Sequence, residues 1–443
     1  MRRAVTMPLP LDPLRIALAA MMLITIGRVH QHFAFLSPLR PALLLSLGGF
    51  VYAFLNPGAL TRAKITATWP ARVVMGIGAM AVLSAIFGIS QGGSASALVA
   101  DFSKVLLLWL LLVLALRDAR DLSLIVWSYL LGVAFLCWLC IFVVDTTMYY
   151  GSRAARLDSS AMHMFDPNDI GVILTMSIPL AVLQLHASRT LGKAAVCAIV
   201  AASGWSIVLG GSRGAFVGLA VVSLTLLVLM KNVSAIKRVG AVAVIAFVVV
   251  AAAPPGYWDQ MNTIVNPKED YNWASQDGRR QIWTRGVGYM MDRPLFGVGI
   301  DNFRRAEGTI SPKARNRLPG EGIVFTAPHN SFVQVGAELG VPGLLLWTSL
   351  VLGGIVGMFR LHRRLPREWA QGDAEERYLF LATLYLPVSL IGFAVTASFV
   401  SFAYLDPIYI LAAFLTATYV SVWEKLGIGP GARRRVRRGR RPC

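Results

Sequence analysis

The sequence predicts an all-α polytopic membrane protein with about 12 transmembrane helices, both termini cytoplasmic and one large, partly helical outward loop. Three observations predict it. Hydrophobic residues make up 56% of the 443 positions and charged ones 15%, against roughly 25% charged in an average soluble protein. The mean hydropathy is +0.61. A soluble core of this size could not hide that much apolar surface, so the bilayer is the solvent for most of the chain. The third observation is the distribution of Lys and Arg between the loops.

The candidate spans are residues 14–29, 39–55, 71–90, 97–116, 122–144, 169–187, 192–210, 213–230, 239–253, 341–359, 378–398 and 404–423. A helix needs about 20 apolar residues to cross the hydrocarbon. Gly, Pro and short charged clusters punctuate the gaps, as at helix ends. The N-terminal segment shows no small-residue cleavage site and reads as retained. With the N-terminus cytoplasmic, the inside segments carry 26 Lys and Arg and the short outside loops carry 5. Positive charge stays inside, so this orientation follows. The long loop holds ten more, but the rule does not extend to long loops. The expected organisation is residues 1–253 as helices 1–9, 254–330 as an outward loop domain, 331–424 as helices 10–12 and 425–443 as a basic cytoplasmic tail.

The net charge of +19 invites a nucleic-acid reading, yet +18 of it lies on the cytoplasmic face. The tail around Arg433–Arg441 supplies much of it and reads as an anchor on anionic headgroups. Nucleic acid is not an expected partner. Cys137, Cys140 and Cys197 lie in apolar runs and Cys443 ends the chain, so no disulfide framework is expected. The CxxC of Cys137 and Cys140 reads as helix packing. His30 and His32 are too few for a metal site, and no His, Cys and carboxylate cluster has ligand spacing. No nucleophilic serine sits in a recognisable elbow. No metal and no cofactor is expected.

The 77-residue loop 254–330 is too long for a connector. It holds Trp258, Trp273 and Trp283 with ten basic and eight acidic residues. A helix is expected over 281–291, with Asp277 as N-cap and Arg293-Pro294 ending it. Phe296-Gly297-Val298-Gly299-Ile300 is a glycine-broken turn and a weak phosphate-loop signal. At the loop's end stands Thr326-Ala327-Pro328-His329-Asn330-Ser331-Phe332, followed by a helix through Gln334 and Glu338 to Gly340. His329 thus falls at the outer membrane boundary, where a histidine is either a structural hydrogen bonder, a cap or a base.

Arg213 lies on the same side, in the turn Gly211-Ser212-Arg213-Gly214 between two apolar spans. A guanidinium there is costly unless paired, functional or snorkelling. Asp101 and Lys104, at i and i+3 in the fourth span, can pair with each other. Asp166 followed by Pro167 is a helix start in its own right, and Arg153 and Arg156 precede it. One histidine and several arginines at membrane depth, with aromatics above, suit one reaction class. Guanidinium forks stabilise a diphosphate leaving group. A neutral imidazole takes a proton from an attacking hydroxyl. Tryptophan faces take sugar rings. The sum is glycosyl transfer from a polyprenyl-diphosphate donor, without nucleotide or metal.

Four ordered stretches carry a resemblance: Phe165-Asp166-Pro167-Asn168; Gly211-Ser212-Arg213-Gly214; Arg280-Gln281-Ile282-Trp283 with Pro294–Gly299 and Asn302-Phe303; and His329-Asn330 with Glu338-Leu339-Gly340. In these the chain resembles the O-antigen ligase and polymerase superfamily of bacterial envelope enzymes. The resemblance implies a multi-pass protein of the inner membrane with a periplasmic loop domain capping a lateral groove. It implies His329 as the catalytic residue and Arg213 with Arg279 or Arg280 as donor-diphosphate ligands. Trp258, Trp273 and Trp283 remain candidate sugar contacts. The implied partners are an undecaprenyl-diphosphate-linked glycan, a lipid A–core or other glycan acceptor, and membrane lipids. One large outer loop favours a ligase over a polymerase; transfer of glycan to protein is a third reading. A transporter of lipid-linked glycans is the different-class alternative, against which stands the lack of two similar halves.

Overall fold

The computed structural model describes residues 12–428, apart from 62, 150, 151, 159, 161–165, 231–233, 271–274, 276, 277, 317–321, 323 and 324. Among the described residues the protein is mostly helical, with one antiparallel hairpin of Thr146–Met148 and Ala155–Leu157. Among the described residues, eight helices are long and apolar enough to cross a membrane. They are Trp69–Phe87, Gln91–Ala115, Ala119–Phe142, Pro167–Ala187, Thr190–Gly210, Ser331–Arg364, Ala374–Ala397 and Asp406–Lys425. Three further apolar helices, Pro13–Gly27, Pro41–Leu55 and Arg213–Leu229, are shorter than a full crossing. A helix also covers Ala235–Ala252. Each expected span therefore coincides with a helix, while eight rather than 12 meet the length and hydropathy of a crossing.

The labels below follow chain order: α1 (Pro13–Gly27), α2 (Pro41–Leu55), α3 (Trp69–Phe87), α4 (Gln91–Ala115), α5 (Ala119–Phe142), α6 (Pro167–Ala187), α7 (Thr190–Gly210), α8 (Arg213–Leu229), α9 (Ala235–Ala252), α10 (Tyr257–Asn262), α11 (Arg279–Asp292), α12 (Phe303–Thr309), α13 (Ser331–Arg364), α14 (Ala374–Ala397) and α15 (Asp406–Lys425). α6 and α15 are the most enclosed helices and form the middle of the bundle. α14 and α7 pack on α6, α8 lies against α14, and α4 lies along α15. α2 turns Leu43, Leu44, Leu47, Val51 and Phe54 outward, as a lipid-facing helix should.

At one end, the buried Arg15 donates to Asp121 and to the carbonyls of Ala59 and Ala115. A buried guanidinium needs all of its donors occupied, and this set joins α1, the end of α4, α5 and the connection before α3. Cys137 and Cys140 are buried free thiols, and Cys137 touches Ser203 of α7. That agrees with helix packing.

At the other end, the described residues of 254–330 fold onto the bundle. Its anchor is a break in α13. Gly340 sits at φ +71° inside that helix, a conformation open to glycine at little cost. The break frees backbone groups that the loop then satisfies. Val298 N–H donates to Ala337 O at 2.8 Å, Gly299 N–H to Glu338 O at 3.1 Å, and Val341 N–H to Pro294 O at 2.8 Å. Gly297 is also left-handed, and a Cβ there would lie 2.4 Å from the Glu338 carbonyl carbon. The glycine-broken turn is thus a docking element, and its N–H groups are spent on α13 rather than turned to a phosphate. Asn302 fastens the same turn to α4 through Ser90 O and Ser94 Oγ.

Gly340→Ala should therefore destabilise the protein by about 1–3 kcal/mol, the usual cost of a strained backbone at a non-glycine residue. A Cβ would also meet Pro294 O at 2.6 Å. The thermal midpoint of the detergent-solubilised variant should fall; an unchanged midpoint would mean that the break does not anchor the loop.

Candidate active site

Four segments converge where the 254–330 segment meets the bundle. The first is the start of α6. Asp166 accepts from Asn168 N–H at 2.7 Å and Asp169 N–H at 3.0 Å, while Asp169 returns a bond to Asp166 N–H. This reciprocal cap, with Pro167 first in the helix, agrees with the expected helix start. Phe165 lies outside the described residues. Asn168 then accepts from Arg156 Nη2 at 3.1 Å, and Arg156 Nε donates to Gly210 O at 2.8 Å. Arg156, on the hairpin, therefore stitches the start of α6 to the end of α7.

The second segment is the turn after α7. Ser212 caps α8 by accepting from Ala215 N–H, which makes Arg213 the first helical residue. Its Nη1 pairs with Asp270 Oδ2 at 2.7 Å and donates to Thr263 Oγ1 at 2.5 Å. The side chain is 17% exposed. Arg213 is thus a paired, enclosed guanidinium rather than a snorkelling one.

The third is α11. Its cap position is Gly278, one residue later than expected; Asp277 lies outside the described residues. Arg279 opens the helix and is half-buried, whereas Arg280 is exposed. Burial lowers the proton affinity of Arg279, and Arg213 and Arg156 lower it further, while Asp270 and Asp166 oppose them. Of the two arginines left open by the sequence, Arg279 is the one among these charges.

The fourth segment carries His329. Its backbone is left-handed at φ +44°, a region in which His is several-fold enriched among non-glycine residues. Its N–H donates to Ser401 Oγ at 2.9 Å. On one side, Pro328 O accepts from Trp283 Nε1 of α11 at 2.8 Å. On the other, Asn330 caps α13 through Phe332 N–H and Val333 N–H. Ser331 Oγ donates to Val400 O and accepts from Phe402 N–H. Asn330 therefore does the capping, and the imidazole of His329 is not used for it. Burial pushes the imidazole down to about 4; Arg279 and Arg304 lower it too, and Asp166 pulls it up. The ring is neutral at neutral pH, chiefly because it is buried.

Trp283 has its N–H committed to Pro328, so it positions the histidine's loop. Trp258 is 41% exposed and packs edge-on to Tyr257 and Phe216. Trp273 lies outside the described residues. Asp270, Thr263, Ser401 and Arg304 are parts of the site that the sequence did not single out. Asp270 is one of eight acids in the loop, and only the fold brings it to Arg213.

The arrangement is a set of clustered guanidiniums beside a neutral imidazole whose backbone is held by Ser401. Residues 198–348 match the O-antigen ligase family. The match spans about a third of the chain, from α7 into α13, and contains Arg213, Arg279 and His329. It supports placing the protein in the O-antigen ligase and polymerase superfamily, which implies a glycosyltransferase-like activity. Among curated proteins, nothing matches the chain. The O-antigen ligase match does not reach Asp166 or Arg156.

The histidine's neighbours set a pH dependence. A base must be unprotonated, so kcat/KM should hold from neutral pH down to about pH 5 and fall only near pH 4. This is lower than an ordinary imidazole near 6.5 would give. Arg279→Gln removes a positive charge, stabilises the imidazolium and should move the acid limb to higher pH. A limb that stays in place in this variant would separate Arg279 from His329.

Proposed function

We propose that this protein is an O-antigen ligase-like glycosyltransferase. It moves a glycan from undecaprenyl diphosphate to a lipid A–core acceptor on the periplasmic face of the bacterial inner membrane. The observation that carries this reading is the neutral imidazole of His329 held beside Arg279, with Arg213 and Asp270 in the same charge cluster. In the reaction, an acceptor hydroxyl oxygen bonds to the anomeric carbon as the bond from that carbon to the diphosphate oxygen breaks. The hydroxyl proton passes to His329, and undecaprenyl diphosphate leaves with the electron pair. Arg213 and Arg279 offset the charge that grows on the leaving group. The donor is already activated by its diphosphate, so neither nucleotide nor metal is required of the protein. Arg280, exposed on the same helix, is a weaker candidate for the diphosphate.

The Arg213–Asp270 pair keeps the donor site neutralised when empty. An incoming diphosphate competes with Asp270 for the guanidinium, which limits idle affinity for free anions. The reading includes 12 spans with both termini cytoplasmic, and loop 254–330 as the periplasmic domain. A polymerase using a second lipid-linked repeat as acceptor would employ the same donor chemistry. The deciding experiment offers the nanodisc-embedded protein an undecaprenyl-diphosphate glycan with either lipid A–core or a second lipid-linked repeat. New product on lipid A–core supports the ligase, and chain extension of the repeat replaces it with the polymerase. Redistribution without a new glycosidic bond would contradict both.

His329→Gln should lower turnover by roughly 10²–10⁴-fold, the usual worth of a general base, while donor binding stays within about twofold. Arg213→Lys should recover little activity, because a point charge does not reproduce the planar fork. Wild-type turnover in the Gln variant would make His329 a positioning residue. A cysteine introduced at Ser275 tests the topology: it should react with a membrane-impermeant thiol reagent added outside spheroplasts, and labelling only after lysis would invert the orientation.

A further inference from the structure

The first of two placements that the donor chemistry leaves unexplained lies within α4. Asp101 and Lys104 are 4.0 Å apart with side chains 81% and 71% exposed. They sit about 15 Å along α4 from Gln91, at 1.5 Å per residue. Ionised groups turned outward from an apolar helix are costly in hydrocarbon and mark a hydrated opening. Leu98–Phe102 here winds as a π-turn, a feature that often re-aims side chains at functional sites.

The second placement is the turn before α12. Asp301 is held at φ +57°, and both Asp301 and Arg304 are exposed. The turn is rigid on both sides: Asn302 binds Ser90 and Ser94 of α4, and Phe303 N–H donates to Glu338 Oε1 at 3.0 Å. Arg305 reaches Ser90 Oγ as well. Asp301 and Arg304 are therefore held at the first turn of α4, and the Asp101–Lys104 pair lies further along the same helix.

Both placements connect to His329. Phe102, next to Asp101, packs edge-on against Tyr404 at 5.4 Å. Tyr404 belongs to the segment whose Ser401 accepts the His329 N–H. Arg304 is close enough to bear on the His329 imidazole, and Asp101 on Asp301. The donor arginines come to His329 from α8 and α11; these groups come from α4 and α12.

We propose that Asp101, Lys104, Asp301 and Arg304 form the acceptor subsite, holding the polyhydroxylated sugar head of a lipid-anchored acceptor beside His329. The inference rests on the glycosyl-transfer reading above and adds where the second substrate binds. The charge pattern distinguishes the two sides. Arg156, Arg213 and Arg279 form a cation-rich side suited to a diphosphate. Two carboxylates with two cations would repel a diphosphate in part, but they accept from and donate to vicinal hydroxyls.

The test is initial-rate kinetics in nanodiscs with an undecaprenyl-diphosphate glycan as donor and lipid A–core as acceptor. The variants are Asp301→Asn, Arg304→Gln and the double change Asp101→Asn with Lys104→Gln. Asn tolerates the left-handed backbone at 301, and Arg304 is exposed, so at least one variant keeps the fold. Each should raise the acceptor KM about tenfold, the scale of one lost charge-assisted contact. Donor KM should stay within about twofold and kcat at saturating acceptor within about threefold. Arg304→Lys should recover part of the acceptor KM. An unchanged acceptor KM across all three variants, with wild type making product, overturns the subsite and leaves the transfer reading standing. A loss confined to kcat or donor KM likewise overturns it. Wild type that makes no product with lipid A–core or with a second lipid-linked repeat overturns the transfer reading and the subsite together.

Discussion

A helix broken at one glycine holds the segment around Pro294–Gly299 to the helix bundle. Where α13 departs from helical geometry at Gly340, its free carbonyls and N–H groups are taken up by Pro294, Val298 and Gly299. Buried backbone groups must find partners, so the break and the glycine-broken turn specify each other. The same helix starts directly after His329, and the same turn leads into Asp301 and Arg304. One set of backbone bonds thus fixes the height of the imidazole and of the charges around it. Trp283 adds the lateral constraint by binding Pro328.

Burial sets the protonation state of His329. A histidine in water is partly protonated at neutral pH and is a poor base in that form. Enclosed and flanked by Arg279, the imidazole of His329 loses its proton well below neutrality. The same enclosure makes unpaired guanidiniums costly, which explains why Arg213 carries Asp270 and Thr263 as partners. Electrostatic interactions strengthen as water is excluded, so Arg213 is held in one orientation by Asp270 and Thr263.

Much of the fold was legible in the sequence. Each expected span coincides with a helix, because runs of apolar residues leave few alternatives in lipid. The helix start at Asp166-Pro167 and the helix after His329-Asn330 were readable from capping chemistry. The α11 boundary was read one residue early, since Asp277 looked like a better cap than Gly278. Harder to see were pairings across the fold. Nothing near Asp270 marks it as the partner of Arg213, and nothing near Ser401 ties it to His329. Gly297 and Gly299 looked like a weak phosphate loop because glycine serves both close anion approach and close backbone docking; only α13's break distinguishes the two. The choice between Arg279 and Arg280 also needed the helix's orientation, which one position of phase decides.

A structure with an undecaprenyl-diphosphate glycan bound tests the central claim most directly, because it shows both sides of the proposed reaction at once. The expected result is a diphosphate within hydrogen-bond distance of the Arg213 and Arg279 guanidiniums, with the anomeric carbon presenting its opposite face toward His329. The Arg213–Asp270 pair should be loosened or broken. A diphosphate held elsewhere, with the Arg213–Asp270 pair intact and His329 remote from the anomeric carbon, would contradict it.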